Sequence, residues 1–313
     1  MLITAATSLI SIGQAIILGF LQGVTELFPV SSLGHTVLFP TLFRWHNIVA
    51  WQSHAESPWL AFVVMLHVGS AIGLLIYFWR DWIELIKAFF VTLSKRRAET
   101  PSERLVWLLI IATIPVGILG LVLEHPLRTL FAKPIWAAIF LIINGLILIA
   151  AERFRRNANV RELARREGLT PEGYRDLDTM SYQEAAIIGT AQSTALIAGI
   201  SRDGVVMTSG LARGLDNAQA ARFAFLMATP PILAAGIVKL GDLLHPPTVH
   251  SHHLIAQLQI AAVVAAAVAA VTAVVTVHFL TKYFEKRNLI PFGVYCIGFG
   301  ILMVIFTTVV GAP

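Results

Sequence analysis

The chain has 313 residues, of which 57% are hydrophobic and only 13% are charged. Since soluble domains carry about 25% charged residues, this composition excludes a soluble enzyme and predicts an all-α integral membrane protein. The net charge is +5, but the basic residues lie in short loops between apolar runs, which indicates membrane orientation and not a nucleic-acid partner.

Apolar regions of two kinds follow one another along the chain. Two of them, residues 12–40 and 182–215, are interrupted near the middle by glycine, proline and polar residues. Because lipid does not tolerate irregular backbone unless protein or water covers it, we predict that each region forms a re-entrant helical hairpin. Six uninterrupted runs have the length of transmembrane helices, namely 59–79, 105–123, 135–151, 218–240, 254–280 and 290–310.

The placement of lysine and arginine predicts the topology. Basic residues are concentrated in the loop 80–104, the segment 152–178 and the turn after Leu280, whereas the opposite loops contain only Arg44, Arg128, Lys133 and Lys239. The positive-inside rule makes the first set cytoplasmic. Successive loops then lie on alternating sides of the membrane only if each broken region returns to the face from which it enters.

The polar segment divides the chain into two similar halves. We predict a first repeat at 1–151, a cytoplasmic linker at 152–181 and a second repeat at 182–313. Four residues of the first half recur 170 residues later: Gly19, Gln22, Ser31 and Gly34 match Gly189, Gln192, Ser201 and Gly204. This internal similarity supports an inverted repeat, and chance matching of small residues is the alternative. Broken helices of inverted repeats place the binding site where they meet near the midplane.

The first broken region carries polar groups that are costly in a membrane. They are Gln22, Glu26, Ser31, Ser32 and His35. Such groups usually line a cavity and act there, and Gln22 and Glu26 share one face of a helix. The run from Ser31 to Gly34 can cap the next helix and offer backbone N–H groups to an anion. The alternative is that Glu26 and His35 pair with each other or with the backbone in a purely structural role.

The second broken region has one basic residue near its centre, Arg202, with Gly199 and Gly204 on either side. A buried guanidinium requires an anionic partner, and its planar fork suits phosphate oxygens. The glycines allow the backbone to approach a ligand closely. A structural ion pair of Arg202 with Glu26 or Asp203 is the alternative.

The two hairpins together supply a hydroxyl nucleophile, a carboxylate or imidazole base and an arginine that can bind phosphate. These are the groups that phosphoryl transfer requires. The runs 22–35, 199–204 and 221–230 resemble the undecaprenyl-diphosphate phosphatase family of the bacitracin-resistance type, and the similarity covers nearly the whole chain. The resemblance implies hydrolysis of a polyprenyl diphosphate to the monophosphate, which recycles the lipid carrier for cell-envelope synthesis. It also implies a bacterial cytoplasmic (inner) membrane protein whose site faces the outer side.

The resemblance further implies roles for individual residues. Ser32 would be the nucleophile, and Glu26 and His35 would accept and donate protons. Arg202 and Ser201 would bind the phosphate. The substrate-binding set would also include Gln22, Ser31, Gly34, Gly199, Asp203 and Gly204. A divalent metal, magnesium or calcium, is associated with the family, and Glu26 and Asp203 are the candidate ligands.

The chain departs from the family pattern at four positions near the site, where Leu33, Ala198, Asp203 and Val206 replace threonine, proline, serine and threonine. An uncompensated carboxylate at Asp203 would repel a diphosphate. One hypothesis is therefore that Asp203 binds metal or orients Arg202. The other is a divergent paralogue with a shifted substrate or lost activity.

Other features leave alternatives open. His67 in the run 59–79 either faces the site or makes an ordinary interhelical hydrogen bond. A secondary transporter or lipid flippase would also use inverted repeats and an anion site, but it does not need the Ser-Ser-X-Gly-His run. A structural scaffold would leave the buried Arg202 and Glu26 unexplained. The sequence is compatible with a homo-oligomer.

Overall fold

The computed structural model describes residues 10–52, 57–131, 133–155, 174–246, 248–249 and 251–311. Within these residues the chain forms α-helices with short connections. They are α1 (Ile12–Thr25), α2 (Ser32–Leu42), α3 (His46–Gln52), α4 (Trp59–Tyr77), α5 (Trp79–Lys95), α6 (Pro101–Phe131), α7 (Pro134–Arg155), α8 (Tyr182–Gln192), α9 (Arg202–Ala212), α10 (Asn217–Leu244), α11 (His252–Lys286) and α12 (Ile290–Val309).

Six helices among the described residues are long and apolar enough to cross a membrane: α4, α6, α7, α10, α11 and α12. They coincide with the six uninterrupted runs, so the prediction of six transmembrane helices is confirmed in number and place. Their outward faces carry large exposed aliphatic side chains, including Leu121, Ile237 and Val309. Lipid would cover such surfaces, which a soluble protein could not leave in water.

Each broken region contains two short helices: residues 26–31 join α1 to α2, and residues 193–201, which include a 3₁₀-helix at Ser193–Leu196, join α8 to α9. These two connections are called the two turns. The caps of these helices match across the two halves. Ser11 and Ser181 each form a capping box at the start of α1 and α8. Ser31 and Ser201 cap α2 and α9, and each side chain accepts a hydrogen bond from the glycine N–H three residues later. The predicted interruptions are therefore real breaks, each followed by a capped helix.

Helix packing brings the two turns together. Helices α1 and α4 pack against α11, α7 packs against α12, and α2 and α9 both pack against α7. A Cβ atom on Gly34 would lie only 3.0 Å from the Cα of Gly199, tighter than ordinary van der Waals contact, so the absence of a side chain favours this close approach of the two backbones. The turn of the first half thus lies directly against the turn of the second.

Two helices were not predicted. The region 80–104 was interpreted as a loop, but α5 occupies its first part, and α3 follows the first broken region. In α5 the buried residues Leu85, Ala88 and Thr92 have helical spacing, and the many charged residues lie on the other faces. Of the linker predicted at 152–181, residues 156–173 lie outside the described residues.

Candidate active site

Glu26 is the centre of the polar cluster between the two turns. It caps the end of α1 and is only 7% exposed. Gln22 Nε2 donates a hydrogen bond of 2.9 Å to Glu26 Oε2, and the Ser32 hydroxyl donates to the same oxygen. Arg202 Nη2 lies 2.8 Å from Glu26 Oε1. The structure therefore brings Arg202 of the second broken region into contact with the carboxylate of the first, next to Ser32.

Ser31 holds the two turns against each other. Its Oγ accepts hydrogen bonds of 3.2 Å from the N–H groups of both Gly34 and Gly199. Its backbone has a φ of 68°, a left-handed conformation that costs a residue with a Cβ and is retained mainly at functional sites. Ser32 is the next residue and the first of α2. The strained Ser31 thus fixes where the predicted nucleophile lies.

Arg202 connects two carboxylates and keeps one nitrogen free. Nη2 lies 2.8 Å from Glu26 Oε1 and 3.0 Å from Asp203 Oδ1, although the second contact lacks the alignment of a hydrogen bond. Nη1 is buried and has no hydrogen-bond partner among the described residues. Both of the ion pairs considered from the sequence are present, and Nη1 still remains for an anionic ligand.

Asn144 supports the cluster from a third element and was not anticipated. It lies on α7 with 1% exposure. Its Nδ2 donates to the carbonyl of Pro29 at 3.0 Å, and its Oδ1 accepts from the N–H of Ser201 at 2.9 Å. The side chain therefore bridges the two turns. A single amide side chain inside the apolar run 135–151 is the feature of the sequence that could have indicated this role.

His35 is fully buried beside the cluster, but its contacts point elsewhere. Its Nδ1 lies 2.7 Å from the carbonyl oxygen of Ser31, and its Nε2 lies 2.8 Å from the Tyr295 hydroxyl. The ring stacks on Tyr295 and Phe299. These contacts favour a role in holding the strained Ser31, so a proton-handling role for His35 stays a prediction.

His67 is the imidazole that reaches the serine. Its Nε2 lies 3.4 Å from Ser32 Oγ and 3.3 Å from Glu26 Oε2. Of the two possibilities considered for His67, the structure has the one in which its helix face lines the site.

The donor atoms partly fit a divalent cation. Gln22 Oε1 and both oxygens of Asp203 are buried without a hydrogen-bond partner in the described part of the chain. Both oxygens of Glu26 already accept hydrogen bonds. The described residues contain no cluster of three or more His, Cys, Asp or Glu side chains. Magnesium commonly uses one or two carboxylates together with substrate phosphates, and the buried oxygens of Asp203 fit that mode, whereas a closed calcium cage does not.

The remaining departures from the family pattern are apolar and packed. Ala198 and Val206 are 3% and 1% exposed, and Leu33 packs against both hydrophobic clusters of the described core. Closely packed apolar side chains thus occupy the positions at which the resemblance implies hydroxyl groups and a proline. Asp203 is the departure that changes the charge of the site.

Comparisons with known proteins identify the family of the chain. Residues 15–302 match the family described as bacitracin resistance protein BacA. The chain is 44% identical to undecaprenyl-diphosphatase 2 of Frankia alni, over 92% of this chain and 96% of the relative. It is 44% identical to the undecaprenyl-diphosphatase of Mycolicibacterium paratuberculosis, over 93% and 95% of the two chains. It is 38% identical to undecaprenyl-diphosphatase 2 of Chromobacterium violaceum, over 95% and 99%. The chain therefore belongs to the bacitracin resistance protein BacA family.

Proposed function

We propose that this chain is an undecaprenyl-diphosphate phosphatase, which hydrolyses a polyprenyl diphosphate to the monophosphate and inorganic phosphate. The names of its relatives support this activity. The observation that carries the proposal is the contact of Arg202 with Glu26, which joins the two turns beside Ser32. The reaction would return the lipid carrier to cell-envelope synthesis and confer resistance to bacitracin.

Binding would use groups that the protein itself leaves unsatisfied. The free Nη1 of Arg202 would donate to an oxygen of the terminal phosphoryl group. The hydroxyl oxygens of Ser31 and Ser201 accept backbone hydrogen bonds, so their hydrogens remain available to a phosphate oxygen. The N–H groups of Gly34 and Gly204 are already used by these serines. The isoprenoid tail would lie between helices in the lipid.

Catalysis would begin with attack of Ser32 on the terminal phosphorus. The polyprenyl monophosphate would leave in line with the incoming oxygen. Arg202 would stabilise the charge that develops on the phosphoryl oxygens, and Gln22 would hold Glu26 in place. Water would then cleave the phosphoserine intermediate and release inorganic phosphate.

A magnesium ion, if it arrives with the diphosphate, would be held by Asp203 and the carbonyl oxygen of Gln22 and would neutralise phosphate charge. Glu26 is a less suitable ligand than Asp203, because both of its oxygens already accept hydrogen bonds from protein donors. We expect Asp203→Ser to raise the magnesium concentration for half-maximal phosphate release at least about tenfold, since one carboxylate ligand is lost. Titration of activity and of Mn²⁺ binding by electron paramagnetic resonance measures this. An unchanged Mn²⁺ affinity would assign Asp203 to the orientation of Arg202 alone.

The membrane arrangement proposed here has two re-entrant hairpins in an inverted repeat. The helix α1 has 14 residues, so its length is about 21 Å, whereas the hydrocarbon core is about 30 Å thick. The matched caps in the two halves support a repeat with halves 1–151 and 182–313. The protein would lie in the cytoplasmic membrane with its basic loops inside and its site open to the outer side.

A secondary transporter or lipid flippase is the alternative of a different class. It would bind an anion at Arg202, but it has no need for a serine that contacts both a carboxylate and an imidazole. The geometry therefore favours hydrolysis.

The test is release of inorganic phosphate from undecaprenyl diphosphate by the purified chain in detergent, with and without a chelator. We expect turnover that depends on enzyme concentration and falls when the chelator is added. A protein that binds the lipid diphosphate and releases no phosphate at any magnesium concentration would favour the transporter.

A further inference from the structure

Helix α5 lies across the beginning of α6. The Ser102 hydroxyl donates to Glu84, and Lys95 Nζ lies 3.7 Å from Oε1 of Glu103, the residue that follows Ser102 on α6. Glu84 and Lys95 are separated by about 16 Å along α5, whereas their partners are neighbours in the chain. Because α6 has the length and composition of a membrane span that begins at Pro101, α5 runs along the membrane surface at that end of α6.

The side chains of α5 form three faces, each with helical spacing. The face that packs inward contains the buried residues Leu85, Ala88 and Thr92. A second face, the apolar stripe, consists of exposed residues at intervals of four and three: Trp79, Ile83, Ile86, Phe90 and Leu93. The third face is mainly polar and exposed and contains Arg80, Glu84, Lys87, Ser94 and Lys95. A helix divided in this way lies where protein, hydrocarbon and water meet.

A groove between α5 and α6 adjoins the apolar stripe. Its volume is about 340 Å³, which is within the range of pockets that bind small ligands. Ile86 and Phe90 of the stripe line it on one side, and Val106 and Ile110 of α6 line it on the other. Its lining side chains are aliphatic or aromatic. The groove therefore suits a hydrocarbon chain and presents no charged side chain to a polar ligand.

Unpaired positive charge borders the apolar stripe. Four basic side chains of this surface are exposed and have no acidic partner within the described part of the chain: Arg80, Lys87, Arg96 and Arg97. The three acidic side chains of the same stretch each already contact another side chain: Asp81, Glu84 and Glu99. Exposed lysine and arginine next to an apolar face attract the phosphate groups of anionic lipids, while their aliphatic stems can lie along the hydrocarbon.

We propose that α5 is an interfacial helix that binds anionic phospholipid. The apolar stripe and the groove take the acyl chains, and Arg80 and Lys87 contact the phosphate group. The positive-inside rule assigns this lipid to the cytoplasmic leaflet. Such binding does not depend on the phosphatase function. A second copy of the chain is the other possible cover, since paired helices also have this spacing, but pairing would bring the unpaired cations of two copies together.

Lipid selectivity tests the charged part of the site. Native mass spectrometry of the purified full chain, titrated with phosphatidylglycerol or with phosphatidylcholine, gives the dissociation constant of each lipid. We expect the double variant Arg80→Gln/Lys87→Gln to weaken binding of phosphatidylglycerol about fivefold or more, the effect of one basic residue at an anionic surface. Its binding of phosphatidylcholine should not change, which also shows that the variant is folded.

The matched control is Lys282→Gln/Lys286→Gln, which removes the same charge from exposed positions near the end of α11 on the same predicted side. This variant should bind phosphatidylglycerol within about twofold of the wild type. If the two double variants lose affinity equally, or if neither loses any, the lipid is not held by α5 and the proposal is wrong.

A nitroxide label on α5 identifies what covers the apolar stripe. The native Cys296 is buried, so the reagent reacts at a cysteine introduced by Phe90→Cys or, on the polar face, by Ser94→Cys. In phosphatidylglycerol vesicles we expect the label at position 90 to collide with dissolved oxygen more than with a water-soluble nickel complex, and the label at 94 to show the reverse. Preferential collision with nickel at 90, or dipolar coupling between two labels at 90, would overturn the proposal, the second in favour of a dimer.

Discussion

Replacement of Ser32 by alanine is expected to reduce kcat for phosphate release by about 10⁴-fold or more, as removal of a nucleophile typically does. The Ser32 hydroxyl contacts both Glu26 and His67, and alanine leaves these groups without the atom they activate. The contacts of Arg202 with the lipid diphosphate remain, so KM should change little. Steady-state kinetics with farnesyl diphosphate and purified protein measure both constants.

Ser70→Ala is the matched control for the loss of a buried hydroxyl. Ser70 is fully buried on α4, and its hydroxyl donates only within its own helix, to the carbonyl of Leu66 at 3.4 Å. This variant should keep the wild-type kcat. Near-normal turnover by Ser32→Ala would remove Ser32 as the nucleophile and leave direct attack by water.

Arg202→Lys is expected to lower kcat/KM by about a hundred- to a thousandfold, a loss typical for one group that stabilises transition-state charge. One guanidinium nitrogen contacts Glu26 and Asp203 while the other remains free. A single ammonium cannot bridge the carboxylates and bind phosphate with the same fixed geometry. The variant keeps the positive charge, so the measurement isolates the shape of the guanidinium from its charge.

The control for Arg202→Lys is Arg222→Lys. The side chain of Arg222 is 52% exposed, and it forms an ion pair with Asp81, with 2.5 Å between Nη2 and Oδ1. This pair lies outside the polar cluster, and surface ion pairs of this kind contribute little to stability. The kcat/KM of Arg222→Lys should stay within about twofold of the wild type. If Arg202→Lys also stays within that range, Arg202 serves only to neutralise the two carboxylates.

The sequence predicted those features that depend on local pattern. Uninterrupted apolar length predicted the six spans, and glycine, proline and polar residues predicted the breaks. The contact between Glu26 and Arg202 was considered from the sequence only as the structural alternative to phosphate binding, because a buried guanidinium requires an anionic partner. The spans and the breaks depend on local sequence pattern and not on how the helices pack against one another.

Features that depend on packing could not be predicted. Which face of α4 lines the site decides the role of His67, and that face is set by contacts with α1 and α11. The bond from His35 to Tyr295 spans 260 residues, and no periodicity connects them. The φ of 68° at Ser31 results from the contact between the two turns. The helix α5 was missed because its charges suggested a loop.

In the proposed reaction Ser32 attacks the terminal phosphorus and forms a covalent intermediate. The most direct test is the stereochemical course of hydrolysis of a lipid diphosphate made chiral at that phosphorus with sulfur and oxygen isotopes. Each in-line displacement inverts phosphorus, so attack by Ser32 followed by water predicts net retention in the released thiophosphate. Net inversion would show a single attack by water and would contradict the account.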